Sequence, residues 1–205
     1  IRTLGALAQA DAATLAQLGS VGASLAARAR GIDPSPVQDY SLRTETKSVS
    51  SERTFVHDLT GAEEVRDALA SVCAQTARRL RAKGLKGRCV CVKCCQEFGH
   101  TRTAQQTLER RVDDEHDILP VAWELLGQLW RPGEHVRLLG VGVSNWQEGL
   151  QQASLFDDVE QLDHERERRE KIAGTKDALR GKFGDGVLMS GSELRMRRRT
   201  QDGQA

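Results

Sequence analysis

The sequence predicts an α+β fold: a helix-hairpin-helix segment followed by a β-α-β-β-α-β unit that makes a four-stranded sheet with two helices on one face. Three observations predict it. Gly19 and Gly22 interrupt an alanine-rich stretch that otherwise reads as two short helices. Between Lys47 and Ser144, apolar residues recur with period two, then 3.6, then two, two, 3.6 and two again. After Trp146 that regularity fades.

Residues 1–31 read as two helices joined by a tight turn. Asp11 can cap a helix carrying Leu15 and Leu18, and Ala23–Ala29 supplies the second, stopped by Gly31. Residues 34–46 hold Pro34 and Pro36 among polar residues with no apolar period, which makes them a linker. Lys47–Phe55, rich in Ser, Val and Thr, reads as a strand, and Gly61–Lys83 as a helix with Val65, Leu69, Val72, Cys73, Thr76 and Leu80 along one face. Arg88–Gln96 alternates as a strand, turning at Gly99 into Thr101–Leu108. A further helix carries Ile118, Ala122, Leu125 and Leu129 and stops at Pro132-Gly133, and Val136–Ser144 is the last strand. Residues 147–205 are expected to be a mostly flexible tail. Within it Asp163–Phe183 reads as an exposed or marginal helix, with Ile172, Leu179 and Phe183 at loose helical spacing, and disorder is expected beyond Gly184.

Bulk composition narrows the function classes. The 205 residues are 39% hydrophobic and 29% charged, with a net charge of +1. No run approaches the roughly 20 apolar residues of a bilayer-spanning helix. A membrane partner is not expected. The start at Ile1 reads as the middle of a longer pattern. Five cysteines, four of them at 89, 91, 94 and 95, make no disulfide framework and fit reduced thiols in a cytoplasmic protein. Charge is unevenly spread: Arg78–Lys93 holds seven basic residues and no acid, whereas Glu109, Asp113, Asp114, Glu115 and Asp117 cluster elsewhere. Such a run serves a DNA backbone or simply a solvated face.

Several constellations could carry function. Gly19-x-x-Gly22 between helices lets backbone N–H groups, Val21 included, approach an anion at a helix N-terminus; the same glycines suit a plain turn. In the first strand Ser48, Ser50, Glu52 and Thr54 share one face, and Val49 and Phe55 the other. In the second, Val90, Val92 and Cys94 suit the core, which turns Cys89, Cys91, Lys93 and Cys95 outward. Hydroxyls and cations on an open sheet face can follow a phosphate backbone, or merely meet solvent. Cys91-x-x-Cys94 has metal-ligand spacing, but strand alternation sends the two thiols to opposite faces, so no metal is expected. Gln152-Ala153-Ser154-Leu155-Phe156 has the chemistry of a docking peptide, an apolar pair registered by a glutamine, and could equally fold back on the domain. Asp113-Asp114-Glu115 sits where a helix begins and reads as capping. No catalytic set stands out, nor do the carboxylates that two-metal phosphoryl transfer requires.

Six segments, in order, resemble the C-terminal half of the Y-family translesion DNA polymerases, nearest the bacterial DNA polymerase IV type. They are Ile1–Ala8, Leu18–Gly22, Ala29–Asp33, Lys47–Phe55, Arg79–Arg88 and Arg137–Ser144, and together they span residues 1–146. The resemblance implies that 1–33 is the end of a thumb domain, 47–146 a little-finger domain, and Gln152, Leu155 and Phe156 a sliding-clamp-binding peptide, with Ala153 where a leucine is common. It implies contacts to primer–template DNA from Gly19, Val21, Gly22, Lys47, Ser48, Ser50, Arg53, Arg88, Lys93, Arg102 and Ser144. Cys89, Cys91 and Cys95 replace the threonines and basic residue usual in the family, and either Arg102 or Ala104 stands at its basic position in the third strand. Mg2+ and its carboxylates are expected in a palm domain preceding Ile1, and no cofactor in this chain. The function implied is sequence-independent DNA binding within an error-prone polymerase. The alternative is a stand-alone DNA- or clamp-binding module without polymerase activity. A cysteine-built metal protein is a third reading, and would hold stoichiometric zinc.

Overall fold

The computed structural model describes residues 1–37, 46–97, 100–146 and 159–202. The chain divides into two compact units, Ile1–Glu45 and Thr46–Ala205.

The first unit holds three short helices where the sequence predicts two. Helix α1 spans Leu4–Ala8 and is capped by the Thr3 hydroxyl accepting from Ala6 N at 3.1 Å. Helix α2 spans Ala12–Ala16, with Asp11 Oδ1 accepting from Thr14 N at 2.7 Å, which holds the Asp11 carboxyl below its usual range. Leu18 falls outside α2, because a single tighter turn, Gly19–Val21, leads directly into α3, Gly22–Ala29. Both motif glycines are required by geometry. Gly19 has φ +69°, and a Cβ on Gly22 would lie 2.2 Å from the Leu15 carbonyl oxygen. Gly31, at φ +80°, ends the helical run.

The second unit follows the predicted element order. Strand β1 is Ser48–Leu59, α4 Ala62–Ala82, β2 Gly87–Glu97, β3 His100–Val112, α5 Glu115–Gly127 and β4 Val136–Ser144. The sheet order is β1-β4-β2-β3 with every neighbouring pair antiparallel, so β4, last in sequence, inserts between β1 and β2. Helices α4 and α5 cover one face. Leu69, Leu80, Ile118, Leu126, Val92 and Val141, each at most 1% exposed, form the centre of the core between them and the sheet. Thr76 ties the layers, its hydroxyl lying 3.1 Å from the Val141 carbonyl.

The tail departs from expectation. Helix α6 spans Val159–Phe183, and α7 spans Gly191–Asp202, so the disorder expected beyond Gly184 is overturned. The apolar residues that suggested an α6 face remain outside: Ile172, Leu179 and Phe183 are 50%, 37% and 60% exposed. Tertiary contacts hold the two helices instead. Ala173 and Met196 are buried, and Met196 joins the main core. Arg195 forms a two-pronged ion pair with Asp67 of α4 at 2.6 and 2.8 Å. Arg81 bridges Asp177 and Glu115, and Lys86 bridges Asp113 and Glu170. Isolated charges predict little helix, but partners on α4 and the start of α5 supply the missing stabilisation. Among the described residues, no helix is long and apolar enough to cross a membrane.

Candidate nucleic-acid interface

The sheet face opposite α4 and α5 is assembled by register. Residues directly opposite one another in antiparallel strands share a face. Ser48, Ser144, Cys89 and Thr107 therefore make one row across the four strands, and Ser50, Gly142, Cys91 and Gln105 the next. Glu52, Gly140, Lys93 and Thr103 follow, then Thr54, Leu138, Cys95 and Thr101. The central strand β4 contributes Gly140, between Glu52 and Lys93, and Gly142, between Ser50 and Cys91. A Cβ at Gly142 would sit 3.3 Å from Ser50 Cβ, and one at Gly140 2.8 Å from Glu52 Cγ. The Glu52 and Lys93 side chains meet across β4 and close over Gly140, so the backbone is left uncovered at Gly142, beside Ser50 and Cys91.

The predicted hydroxyls Ser48, Ser50 and Ser144 all lie on this face, and Lys47 is exposed just before β1. Lys93 lies there too, but its ammonium contacts both Glu52 carboxylate oxygens at 3.0 and 3.1 Å. The predicted outward cysteines are placed as the alternation requires. Burial pushes the Cys91 thiol up, with the neighbouring Cys89 adding to it, and burial pushes the core-facing Cys94 up to about 11. Cys91 and Cys94 lie on opposite faces of β2.

Three predicted cations are elsewhere. Arg102 pairs with Cys94, which places it on the helix face, where its guanidinium donates to the Leu129 and Gln128 carbonyls at 2.9 and 3.4 Å and caps the end of α5. Ala104, opposite Val92, is also on the helix face, so neither candidate for the family's basic position in this strand reaches the open one. Arg88 lies at an irregularity between Gly87 and Cys89, its Nε donating to the Leu108 carbonyl at 3.0 Å. Arg53 has the strand parity of Val49, Ser51 and Phe55 and lies 5.9 Å from the Phe55 ring centroid. The basic run is likewise occupied: Arg78 pairs with Asp185, Arg79 donates to the Ser50 carbonyl, and Arg81 and Lys86 meet the acids named above. Sequence spacing registers charges but not their partners, several of which are about ninety residues away.

The acidic residues at the start of α5 behave as caps. Asp114 Oδ1 accepts from His116 N at 2.7 Å, and although burial opposes it, hydrogen bonding from His116 holds the Asp114 carboxyl below its usual range. Burial pushes Asp113 up despite Lys86. Glu115 is bound by Arg81 and Lys176. Asp114, Glu115 and His116 bring ligand atoms within 4.8 Å of one another, but these commitments make them a poor fit for the paired Mg2+ ions of phosphoryl transfer. The clamp-peptide residues Gln152, Leu155 and Phe156 lie outside the described residues.

This two-layer domain, with its order β1-β4-β2-β3, coincides with a known family: residues 46–155 match the impB/mucB/samB family C-terminal domain. The chain belongs to that family. It is 33% identical over 191 residues to a DNA polymerase IV of Clostridium acetobutylicum, covering 92% of this chain and 46% of that protein. It is 33% identical over 199 residues to a DNA polymerase IV of Caulobacter vibrioides, covering 96% of this chain and 47% of that protein. The chain thus spans about half the length of the curated relatives it matches. A solved structure described as a complex of beta-clamp processivity factor and little finger domain of PolIV is also similar, at 20% identity and a TM-score of 0.42, covering 53% of this chain and 97% of that one. Membership of the impB/mucB/samB family agrees with the resemblance of the sequence motifs to the C-terminal half of Y-family polymerases of the DNA polymerase IV type.

Proposed function

We propose that this chain grips primer–template DNA without reading its sequence, as the C-terminal part of an error-prone translesion polymerase. The reading is carried by the open sheet face, where Gly142 leaves strand β4 without a side chain beside the hydroxyls of Ser50 and Ser144 and so admits a phosphodiester backbone close to the strand. Small donors and bare backbone track phosphates and carry no base code, as an enzyme accepting damaged templates requires. The α2–α3 turn adds a second phosphate contact through the backbone N–H groups around Gly19, Val21 and Gly22. Gln152, Leu155 and Phe156 dock the parent protein on its sliding clamp, raising the local concentration of a weakly charged grip. Mg2+ and catalytic carboxylates belong to the parent's palm domain, and the protein works in the cytoplasm.

The test is binding of the chain to labelled primer–template duplex across a salt series. The expected result is sequence-independent binding that weakens steeply with salt. The variant Ser48→Glu/Ser50→Glu adds two carboxylates beside Gly142 and Ser144 and is expected to weaken binding at least tenfold with unchanged thermal unfolding. Equal binding by this folded variant would remove the open face from the function.

A further inference from the structure

Among the described residues, Arg53 of β1 and Arg199 of α7 share a groove and, with Arg198, make no ion pair, whereas Lys93 on the open face is paired with Glu52. We infer that Arg198 and Arg199 of α7, with Arg53 of β1, form a second contact for the nucleic-acid backbone, wrapping the DNA footprint around the β1 edge of the sheet. This rests on the DNA-binding reading above and extends it to a surface that the sequence assigned to a flexible tail.

Two anchors position α7. Met196 is 4% exposed in the core, and Arg195 is bound to Asp67. At about 100° per residue, Arg198 lies some 200° round the helix from Met196 and faces solvent. Arg199 is one turn beyond Arg195 and lines a groove with Arg53, Phe55, His57 and Met196. The parity that removes Arg53 from the open face is what brings it to this groove, where it remains exposed. The acids nearby are largely occupied: Asp67 by Arg195, and Asp58 by Arg137 at 4.0 Å, leaving Glu64 on the groove wall. Among the described residues, Arg53, Arg198 and Arg199 make no ion pair, in contrast to Lys93, Arg81 and Lys86. Guanidinium groups hold phosphates through paired N–H donors, and free cations on a rigid helix lose little entropy in doing so. β1 is an edge strand, so the strip adjoins the row of Ser50 and Glu52 on the open face.

The experiment compares the full chain with Arg198→Ala/Arg199→Ala, which keeps both anchors, by duplex binding across salt and by hydroxyl-radical footprinting. Thermal unfolding confirms that both are folded. The strip predicts that the slope of log K against log salt falls by about two, close to 0.9 per lost phosphate contact, and that the footprint shortens at one end. Unchanged slope and footprint, with the parent chain binding, would overturn the strip and leave the sheet reading intact. A reduced slope in this variant, with none in Ser48→Glu/Ser50→Glu, would keep the strip and remove the sheet. No binding by the folded parent chain at low salt would overturn both.

Discussion

The two faces of the second unit use the same residue types to opposite ends. On the helix face, charges are consumed: Arg81, Lys86, Arg102 and Arg195 each meet a carboxylate or a helix-end carbonyl, and these contacts fasten α4, α5, α6 and α7 together. On the open face charge is sparse, with Lys93 set against Glu52 and the other positions of these four rows filled by hydroxyls, thiols, glycines, an amide and Leu138. A basic run in sequence is therefore a poor map of surface potential. What matters is which cations are left without an ion pair after folding, and Arg53, Arg198 and Arg199 are among them, whereas Lys93 and Arg195 are not.

The comparison breaks most visibly through the core that separates the faces. Leu126→Ala, at a fully buried position under α5, is expected to cost about 2–5 kcal/mol. Chemical denaturation measures it, and a loss under about 1 kcal/mol would mean that α5 is not packed as described. Arg102→Ala comes next. It removes the donor to the Leu129 and Gln128 carbonyls, and should lower stability by about 1–2 kcal/mol while leaving duplex affinity unchanged. Loss of affinity in the folded variant would return Arg102 to the DNA surface.

Asp67→Asn should cost about 1 kcal/mol, because its partner Arg195 is itself well exposed and screened by solvent. Hydrogen bonding from Arg195 holds the Asp67 carboxyl below its usual range in the folded chain, although burial opposes it. The unfolded carboxyl takes up its proton first as pH falls. The pair's contribution is thus fully present above the unfolded pKa and is lost as pH drops through the lower folded value. Protection factors of the α7 amides, corrected for the intrinsic pH dependence of exchange, should fall over that acidic window in the parent chain and not in the variant. The smallest effect is expected from Glu52→Gln. Freeing Lys93 should tighten duplex binding a few-fold at low salt and steepen the salt slope by about one. No change would mean that DNA does not reach the third row of the sheet.

Strand parity was the most legible feature. Ser48, Ser50, Cys89, Cys91 and Lys93 were assigned correctly to the open face because side chains alternate along any strand, whatever it pairs with. The resemblance offers Arg53 and Arg102 as DNA contacts without naming a face; parity turns Arg53 away from the open face, and the β2–β3 register does the same for Arg102. The tail helices are illegible in the sequence for a different reason. Its helices carry weak apolar patterns, and their stabilising partners, Asp67, Arg81 and Lys86, lie far back in the sequence.

Local patterns set the element order from β1 to β4, the cap at Asp11, the Gly19–Gly22 turn, the core faces of α4 and α5, and the family. These follow from local periodicity, backbone sterics and motif order, each set within a few residues. Folding adds what no local pattern contains: β4 lies between β1 and β2, Lys93 is neutralised by Glu52, and α7 closes on α4 through Arg195 and Asp67 with Arg198 and Arg199 left out of ion pairs. Each of those depends on which distant segments meet, and a pairing between residues tens of positions apart leaves no periodic trace in either partner.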